Sequence, residues 1–317
     1  MNVLTENIQA RAKVLLSNGT VESVLGFCRG TLPMARRPFL ARTPEEADQL
    51  CWDEFCLLNL AAFLPTDSAG RTAIFTKGCD WRNLVVHRLE GRLPDRLYII
   101  GISCTKMLDP EKINGAAGGS QRVLDVVSGA DGLRVQTPDG TLLLQHAELY
   151  REACLACRCN SPGAADEWLA SPAEWLPARR ADVDPLRHLD SEQRAAHYRT
   201  SFRNCLMCFA CRDVCPLCYC KKCFVDIEKA HYLATTDPLG RVLDFHFQRA
   251  HHIAGRCTGC GACESACPMN IPVSRPAAIL NGELEQATGY VPGCNTDEAP
   301  PAGIFRPSYH EPDRRRS

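Results

Sequence analysis

The chain has 317 residues, 45% of them hydrophobic, and a formal net charge of -1. That supplies cores for two modest domains and gives no reason to expect a nucleic-acid or anionic-membrane partner. No apolar run approaches the roughly 18 residues needed to span a bilayer. The opening Met1-Asn2-Val3-Leu4-Thr5-Glu6-Asn7 has no basic stretch leading into an apolar core, so a cytoplasmic protein is expected. The anomaly is 20 cysteines. A disulfide scaffold is usually short and carries a secretion signal, so clustered thiols in this chain point to metal.

The expected fold is an α/β N-terminal domain over 1–160, a linker over 161–186, a mainly α-helical two-cluster domain over 187–293, and a Pro-rich tail over 294–317. Ile8, Ala12, Leu15 and Leu16 share one helical face that ends at Asn18-Gly19, a C-cap signal. Thr43-Pro44-Glu45-Glu46 is a capping-box start and predicts a second helix carrying Leu50, Phe55, Leu57 and Leu58 inward. Thr72–Thr76 reads as a short apolar strand. Lys77-Gly78-Cys79 reads as a turn, and Asp80 as the cap of a helix through Leu84, Val85 and Leu89. A second buried strand follows at Leu97–Ile102. Strand, helix, strand at this spacing predicts a parallel βαβ pair. Cys79 and Cys104 then leave the same sheet edge, where open α/β sheets place ligands.

Gly115, Gly118 and Gly119 suggest a phosphate-approaching loop, but no G-x-G-x-x-G follows a strand, and a surface loop is the expectation. A hairpin is expected over 132–147 around Pro138-Asp139-Gly140. The linker should hold short helical pieces near Trp168 and Trp175. Val242, Phe245, Arg249, Ile253 and a terminal Gly255 predict a helix leading into the last cysteine run.

Cys205, Cys208, Cys211 and Cys215 are spaced C-x2-C-x2-C-x3-C and followed by Pro216. Cys257, Cys260, Cys263 and Cys267 repeat the spacing, followed by Pro268. This is the two-cluster ferredoxin run. Three thiolates at two-residue intervals wrap one cubane, and the fourth, turned away by the proline, reaches the other. The expected sets are therefore Cys205, Cys208, Cys211 and Cys267 for one 4Fe–4S cluster, and Cys257, Cys260, Cys263 and Cys215 for the other. Zinc knuckles also use C-x2-C pairs but do not need the overlapping fourth cysteine with its proline. Cys211, Cys215 and Cys218 also spell the radical S-adenosylmethionine spacing, a coincidence if two of them are already committed. The bland readings are helix surface for His251 and His252, core for Trp52 and Trp81, a solvated pair for Lys221-Lys222, and free thiols for Cys28, Cys51, Cys159 and Cys294.

The N-terminal half resembles the beta-subunit family of deazaflavin-reducing hydrogenases and related formate dehydrogenases. The resemblance rests on Lys77-Gly78-Cys79-Asp80, Ile99-Ile100-Gly101-Ile102-Ser103-Cys104, and Cys154-Leu155-Ala156-Cys157 followed by Ala164-Ala165-Asp166. Further matching pieces are Asn59-Leu60-Ala61, Cys215-Pro216-Leu217-Cys218-Tyr219-Cys220 and His252-Ile253-Ala254-Gly255-Arg256-Cys257. The long gap between the runs resembles the helical ferredoxins of fumarate reductase and heterodisulfide reductase iron–sulfur subunits. The double Cys-Cys motif of the heterodisulfide-cleaving subunit is absent. The resemblance implies an FAD exchanging hydride with a two-electron carrier, here held by this chain or by a partner. It also implies redox partners: a flavoprotein, a hydrogenase, a formate dehydrogenase or a heterodisulfide-reductase-like complex.

A third cluster is expected on Cys79, Cys104, Cys154 and Cys157, from the shared sheet edge, the C-x2-C pair and the resemblance together. A fourth is expected on Cys218, Cys220 and Cys223. Cys56, just ahead of Asn59-Leu60-Ala61, is its remote ligand, with Cys159 as the alternative. The functional expectation is an electron-transfer subunit. The competing readings are a self-contained FAD/4Fe–4S enzyme oxidising a reduced deazaflavin, NADH or ferredoxin, and a structural zinc or nucleic-acid-binding protein.

Overall fold

The computed structural model describes residues 2–65, 70–93, 96–119, 122–169, 184–226 and 237–301. Helix α1 (Val3–Ser17) is capped by Asn2, whose side chain accepts from the amide of Thr5, and buries Ile8, Ala12 and Leu15. Strands β1 (Ser23–Arg29), β2 (Arg36–Ala41) and β3 (Leu50–Cys51) follow, and α1 packs beside β1 and β3. Strand β4 (Thr72–Thr76) leads into α2 (Gly78–Leu89), and β5 (Leu97–Gly101) follows. Then come α3 (Pro110–Ala116), β6 (Asp125–Gly129), β7 (Gly132–Thr137) and β8 (Gly140–Leu144). Two single turns, α4 (His146–Leu149) and α5 (Glu152–Leu155), precede β9 (Glu167–Trp168).

The main sheet runs β2-β1-β4-β5-β9. Strand β4 is parallel to β1 and β5, and β5 to β9, while β2 and β3 pair β1 antiparallel. Strand β4 covers only Ser23–Leu25 of β1, and β3 takes the same side further along, at Phe27 and Cys28. The fold is thus mixed α/β with a parallel centre. A separate antiparallel sheet β6-β7-β8 closes a second core on Leu108, Ile113, Leu133 and Val135.

The C-terminal part is helical: α6 (Asp184–Arg187), α7 (Ser191–Phe202), α8 (Ala210–Asp213), α9 (Pro238–His252), α10 (Ala262–Ser265) and α11 (Arg275–Thr288). Helix α9 starts on Asp237, whose carboxylate accepts from two amides, with Pro238 in the first turn. It buries Val242, Phe245, His246, Arg249 and Ala250.

Several elements differ from the sequence expectation. The helix after Thr43 is a single 3-10 turn, Glu46–Gln49. Half of the expected capping box forms: Glu46 N donates to Thr43 Oγ1, but Glu46 Oε2 accepts from Arg42 N rather than from Thr43 N. The chain then leaves the helix because Leu50 and Cys51 are taken up by β1 and Trp52 by the core. Helix α2 begins three residues early, with Lys77 and not Asp80 at its cap. Asp80 is its third residue in a capping box with Lys77, so Cys79 sits in the first turn. The stretch near Trp168 is a strand, not a helical piece. Asp166 accepts from the amide of Ile99, and the indole lies where a Cβ on Gly101 would be, 2.6 Å away. The expected hairpin over 132–147 is joined by a third strand, β6. Gly118 and Gly119 adopt φ of 79° and 135° in the turn closing α3, so their freedom serves the chain's own turn. Trp175 and residues 302–317 lie outside the described residues.

Candidate metal centres

The C-terminal ends of β4 and β5 open onto a cavity of about 410 Å3 lined by Cys79, Cys104, Cys154, Cys157, Cys159 and Cys260, with Lys77 on its wall. Each thiol is fixed by its backbone. Cys79 rides the first turn of α2, and Cys104 N donates to Asn160 O at 2.8 Å. Cys154 and Cys157 bracket the end of α5. Gly78 is obligatory here, because a Cβ would lie 1.9 Å from the carbonyl oxygen of Cys159. Cys159 Sγ itself donates to Ser161 O at 2.7 Å.

Lys77 is 2% exposed and donates to Asp80 at 3.1 Å and to Leu58 O at 2.9 Å. Its ammonium also faces the rings of Phe27 and Trp52. Burial works against its charge, but Asp80, then Cys79, Cys104 and Cys56, hold it protonated. Burial pushes the Cys79 thiol well up, Lys77 opposing and Cys260 and Cys157 adding. It pushes Cys104 up to about 12, with Cys154 as the next contributor. Crowded, enclosed thiols of this kind resist ionising until a polycation arrives to accept their charge. The donor set and the cavity fit an iron–sulfur core.

The two cysteine runs are built alike. In each, a four-residue helix (α8, α10) starts from a left-handed residue, Phe209 at φ 60° and Gly261 at φ 72°. Each also has a left-handed residue two places after its first cysteine, Met207 at 52° and Gly259 at 72°. Side chains rarely hold such φ values outside functional sites. The backbone NH of Met207 donates to Cys205 Sγ at 3.4 Å, and that of Ile271 to Cys267 Sγ at 3.4 Å. Burial raises Cys205, to which Cys267 and Cys208 add. It raises Cys211 to about 11, Arg249 opposing and Cys205, Cys267 and Cys208 adding. Cys260 rises to about 12 by burial, with Cys257 and Cys215 as charge neighbours. Cys263 rises by burial too, with Arg249 opposing and Cys215 and Cys260 adding. Cys215 is lowered, first by a hydrogen bond from Cys218 and also by Arg249. The run-crossing neighbours are thus Cys267 with the first set and Cys215 with the second. Among the described residues no three His, Cys, Asp or Glu side chains converge as a single-ion site requires.

Cys208 and Cys220 are exposed, and Cys218 and Cys223 half-buried. Cys56 is fully buried in the sheet core beside Cys51, whereas Cys218 packs with Leu217, Ala250 and Ile253. The structure therefore does not bring Cys56 to the Cys218 group. Cys159 lines the N-terminal cavity instead. His251 and His252 are exposed, Trp52 is buried and Trp81 half-buried, and Lys221 and Lys222 are exposed.

Sequence reading missed the residues that join the two parts. Helix α2 presents Cys79, Arg82, Asn83, Val86, His87 and Glu90 at helical spacing along one face. Arg82 donates to Thr258 O at 2.8 Å and Pro292 O at 2.9 Å, and Asn83 to Thr258 Oγ1 at 2.8 Å. His87 Nε2 donates to Pro216 O at 2.8 Å, and Glu90 pairs with Arg256 and Tyr219. Arg151 donates to Gly261 O at 2.6 Å. The i, i+4, i+8 recurrence of polar residues after Cys79 was the available signal.

The 4Fe-4S dicluster domain family matches residues 201–271. The chain is thus an iron–sulfur protein, with the dicluster signature where the two runs lie. It is similar to proteins named as beta subunits of F420-dependent formate dehydrogenases. It is 38% identical over 236 residues to the F420-dependent formate dehydrogenase 1 subunit beta of Methanococcus maripaludis, covering 74% of this chain and 58% of that protein. It is 31% identical over 121 residues to the F420-dependent formate dehydrogenase subunit beta of Methanocaldococcus jannaschii, covering 38% of this chain and 31% of that one. The match thus spans under three fifths of the first relative and about a third of the second. Among solved structures, a chain of the F420-reducing NiFe hydrogenase complex from Methanosarcina barkeri aligns with a TM-score of 0.41 and 13% identity, over 63% of this chain and 88% of that one. That likeness is too loose to carry an argument. No described helix is long and apolar enough to cross a membrane.

Proposed function

We propose that this chain is an electron-transfer subunit of a multi-subunit oxidoreductase. It relays single electrons between a flavin- or deazaflavin-linked hydride donor and a partner dehydrogenase, hydrogenase or heterodisulfide-reductase-like enzyme. Three 4Fe–4S clusters are assigned: Cys79, Cys104, Cys154 and Cys157; Cys215, Cys257, Cys260 and Cys263; and Cys205, Cys208, Cys211 and Cys267. Each cluster, when bound, supplies reversible one-electron exchange. A fourth on Cys218, Cys220 and Cys223 would need a remote ligand other than Cys56.

The observation that carries this reading is that the three thiol sets follow one another. Cys260 of the second set lines the same cavity as the N-terminal four. Cys263, of the second set, lies in the single turn of α10, and Cys267, of the third, two residues past its end. The third set ends at the surface, with Cys208 exposed beside Leu206 and Met269, 65% and 38% exposed. Lys77, 2% exposed, lies at the inner end, and the open end suits a redox partner.

Anaerobic purification from producing cells tests this. A brown chain whose visible absorbance bleaches with dithionite, co-eluting with a dehydrogenase or hydrogenase subunit, is expected. A colourless chain with stoichiometric zinc would contradict it.

A second reading, in which the chain itself holds FAD, is favoured by a cavity of about 970 Å3 lined by Arg29, Gly30, Arg36, Ser128 and Gly129. That is a dinucleotide-sized space with mainly polar walls. FAD released by acid from the purified chain would support it, and flavin-free active chain would reject it.

A further inference from the structure

Arg249 is 4% exposed, on the inner face of α9. Its terminal nitrogen donates to the carbonyl oxygen of Cys211 at 3.0 Å. Its Nε is buried with no hydrogen-bond partner. Among the described residues it forms no ion pair with a carboxylate, unlike Arg36, Arg212 or Arg256. A guanidinium keeps its charge whatever its burial. The neighbours of Arg249 at the end of α9, Ala250 and Ile253, pack in one cluster with Cys215, Cys218 and Cys257. A buried guanidinium without a counter-anion is strongly unfavourable. The compensating charge has to come from what those thiols bind.

We propose that Arg249 is the built-in counter-charge of the cluster held by Cys215, Cys257, Cys260 and Cys263, and that it raises that cluster's reduction potential. This rests on the cluster assignment above. A cubane core carries fewer positive charges than its four thiolates carry negative ones. The site is therefore anionic, and gains one further negative charge with each electron. A fixed cation beside it favours the reduced form.

The effect is asymmetric. Ala250 and Ile253, just after Arg249 at the end of α9, pack with Cys215 and Cys257 of this cluster, whereas towards the other cluster Arg249 meets the backbone carbonyl of Cys211. Towards that other cluster the same helix presents His246, whose Nε2 lies 3.4 Å from Cys205 Sγ. Of the two dicluster sites, the one held by Cys215, Cys257, Cys260 and Cys263 is therefore reduced first at equilibrium.

Potentiometric titration of the intact chain, followed by electron paramagnetic resonance, tests this. Arg249→Met with full iron and sulfide should shift one-electron reduction of one cluster at least tenfold towards the oxidised form, about 59 mV. The other dicluster potential should move less. Arg249→Lys should stay near wild type. If Arg249→Met and Arg249→Gln fail to assemble clusters while Arg249→Lys assembles with near-wild-type potentials, the need for charge is likewise supported. A fully loaded Arg249→Met with both potentials unmoved or moved equally overturns the proposal. So does failure of all three variants, which would mark a purely structural fork. Iron-free wild-type chain would instead bring down the cluster assignment beneath it.

Discussion

Gly259 and Gly261 share φ of 72°, yet their surroundings differ. A Cβ on Gly259 meets nothing within 4 Å, whereas one on Gly261 lies 2.7 Å from Ala153 Cβ and 2.8 Å from Arg151. Gly259→Ala should cost only the left-handed backbone penalty, ~1–2 kcal/mol. Gly261→Ala adds overpacking of ~1–3 kcal/mol and presses on the Arg151 contact to the second run. Apparent unfolding temperatures of the loaded proteins check this: Gly261→Ala is expected clearly below Gly259→Ala, and equal values would contradict it. At this scale the two cysteine runs were legible, because a dicluster domain needs fixed sequence spacing. The left-handed Met207 and Phe209 were not, because nothing in a side chain announces such a backbone. They are held by packing, Phe209 against Phe245 with ring centroids 5.1 Å apart.

Helix α2 is the element that ties the sheet to the dicluster part. His87, 8% exposed, is held below its ordinary 6.5 by burial. The hydrogen bond to Pro216 and nearby Glu90 oppose that shift, and Arg92 and Arg256 reinforce it. A histidine whose folded pKa lies below its unfolded value binds its proton more tightly when unfolded. Its contribution is full above pH 6.5 and is lost as pH falls through that value towards the depressed folded pKa. His87→Gln should therefore flatten the fall in apparent unfolding temperature between about pH 7.5 and pH 5.5. An unchanged slope would place the acid sensitivity elsewhere. Helix α9 was readable because its burial is periodic, and strands β4 and β5 because each is a short continuous apolar run. The failed helix after Thr43 shows the limit: its local start signal is real, but long-range pairing of Leu50 and Cys51 with β1 overrides it.

Over the whole molecule, the proposed assignment makes the thiol sets a path from the sheet edge to the surface, with the fourth cysteine of each run exchanged between sets. Cys215→Ser should perturb the cluster of Cys257, Cys260 and Cys263, leaving that of Cys205, Cys208 and Cys211 in place. Resolved magnetic spectra read this, and loss confined to the latter cluster would refute the crossing. The two-run architecture was legible from spacing alone. The contact between the two parts was not, because Arg82, Asn83 and Glu90 become informative only once α2 is seen to face Thr258 and Arg256. The central claim, three 4Fe–4S clusters in one chain, is tested most directly by counting iron and acid-labile sulfide in anaerobically purified, intact protein. About twelve of each per chain is expected, falling by about four in Cys104→Ser. About eight of each, unchanged by Cys104→Ser, would contradict it.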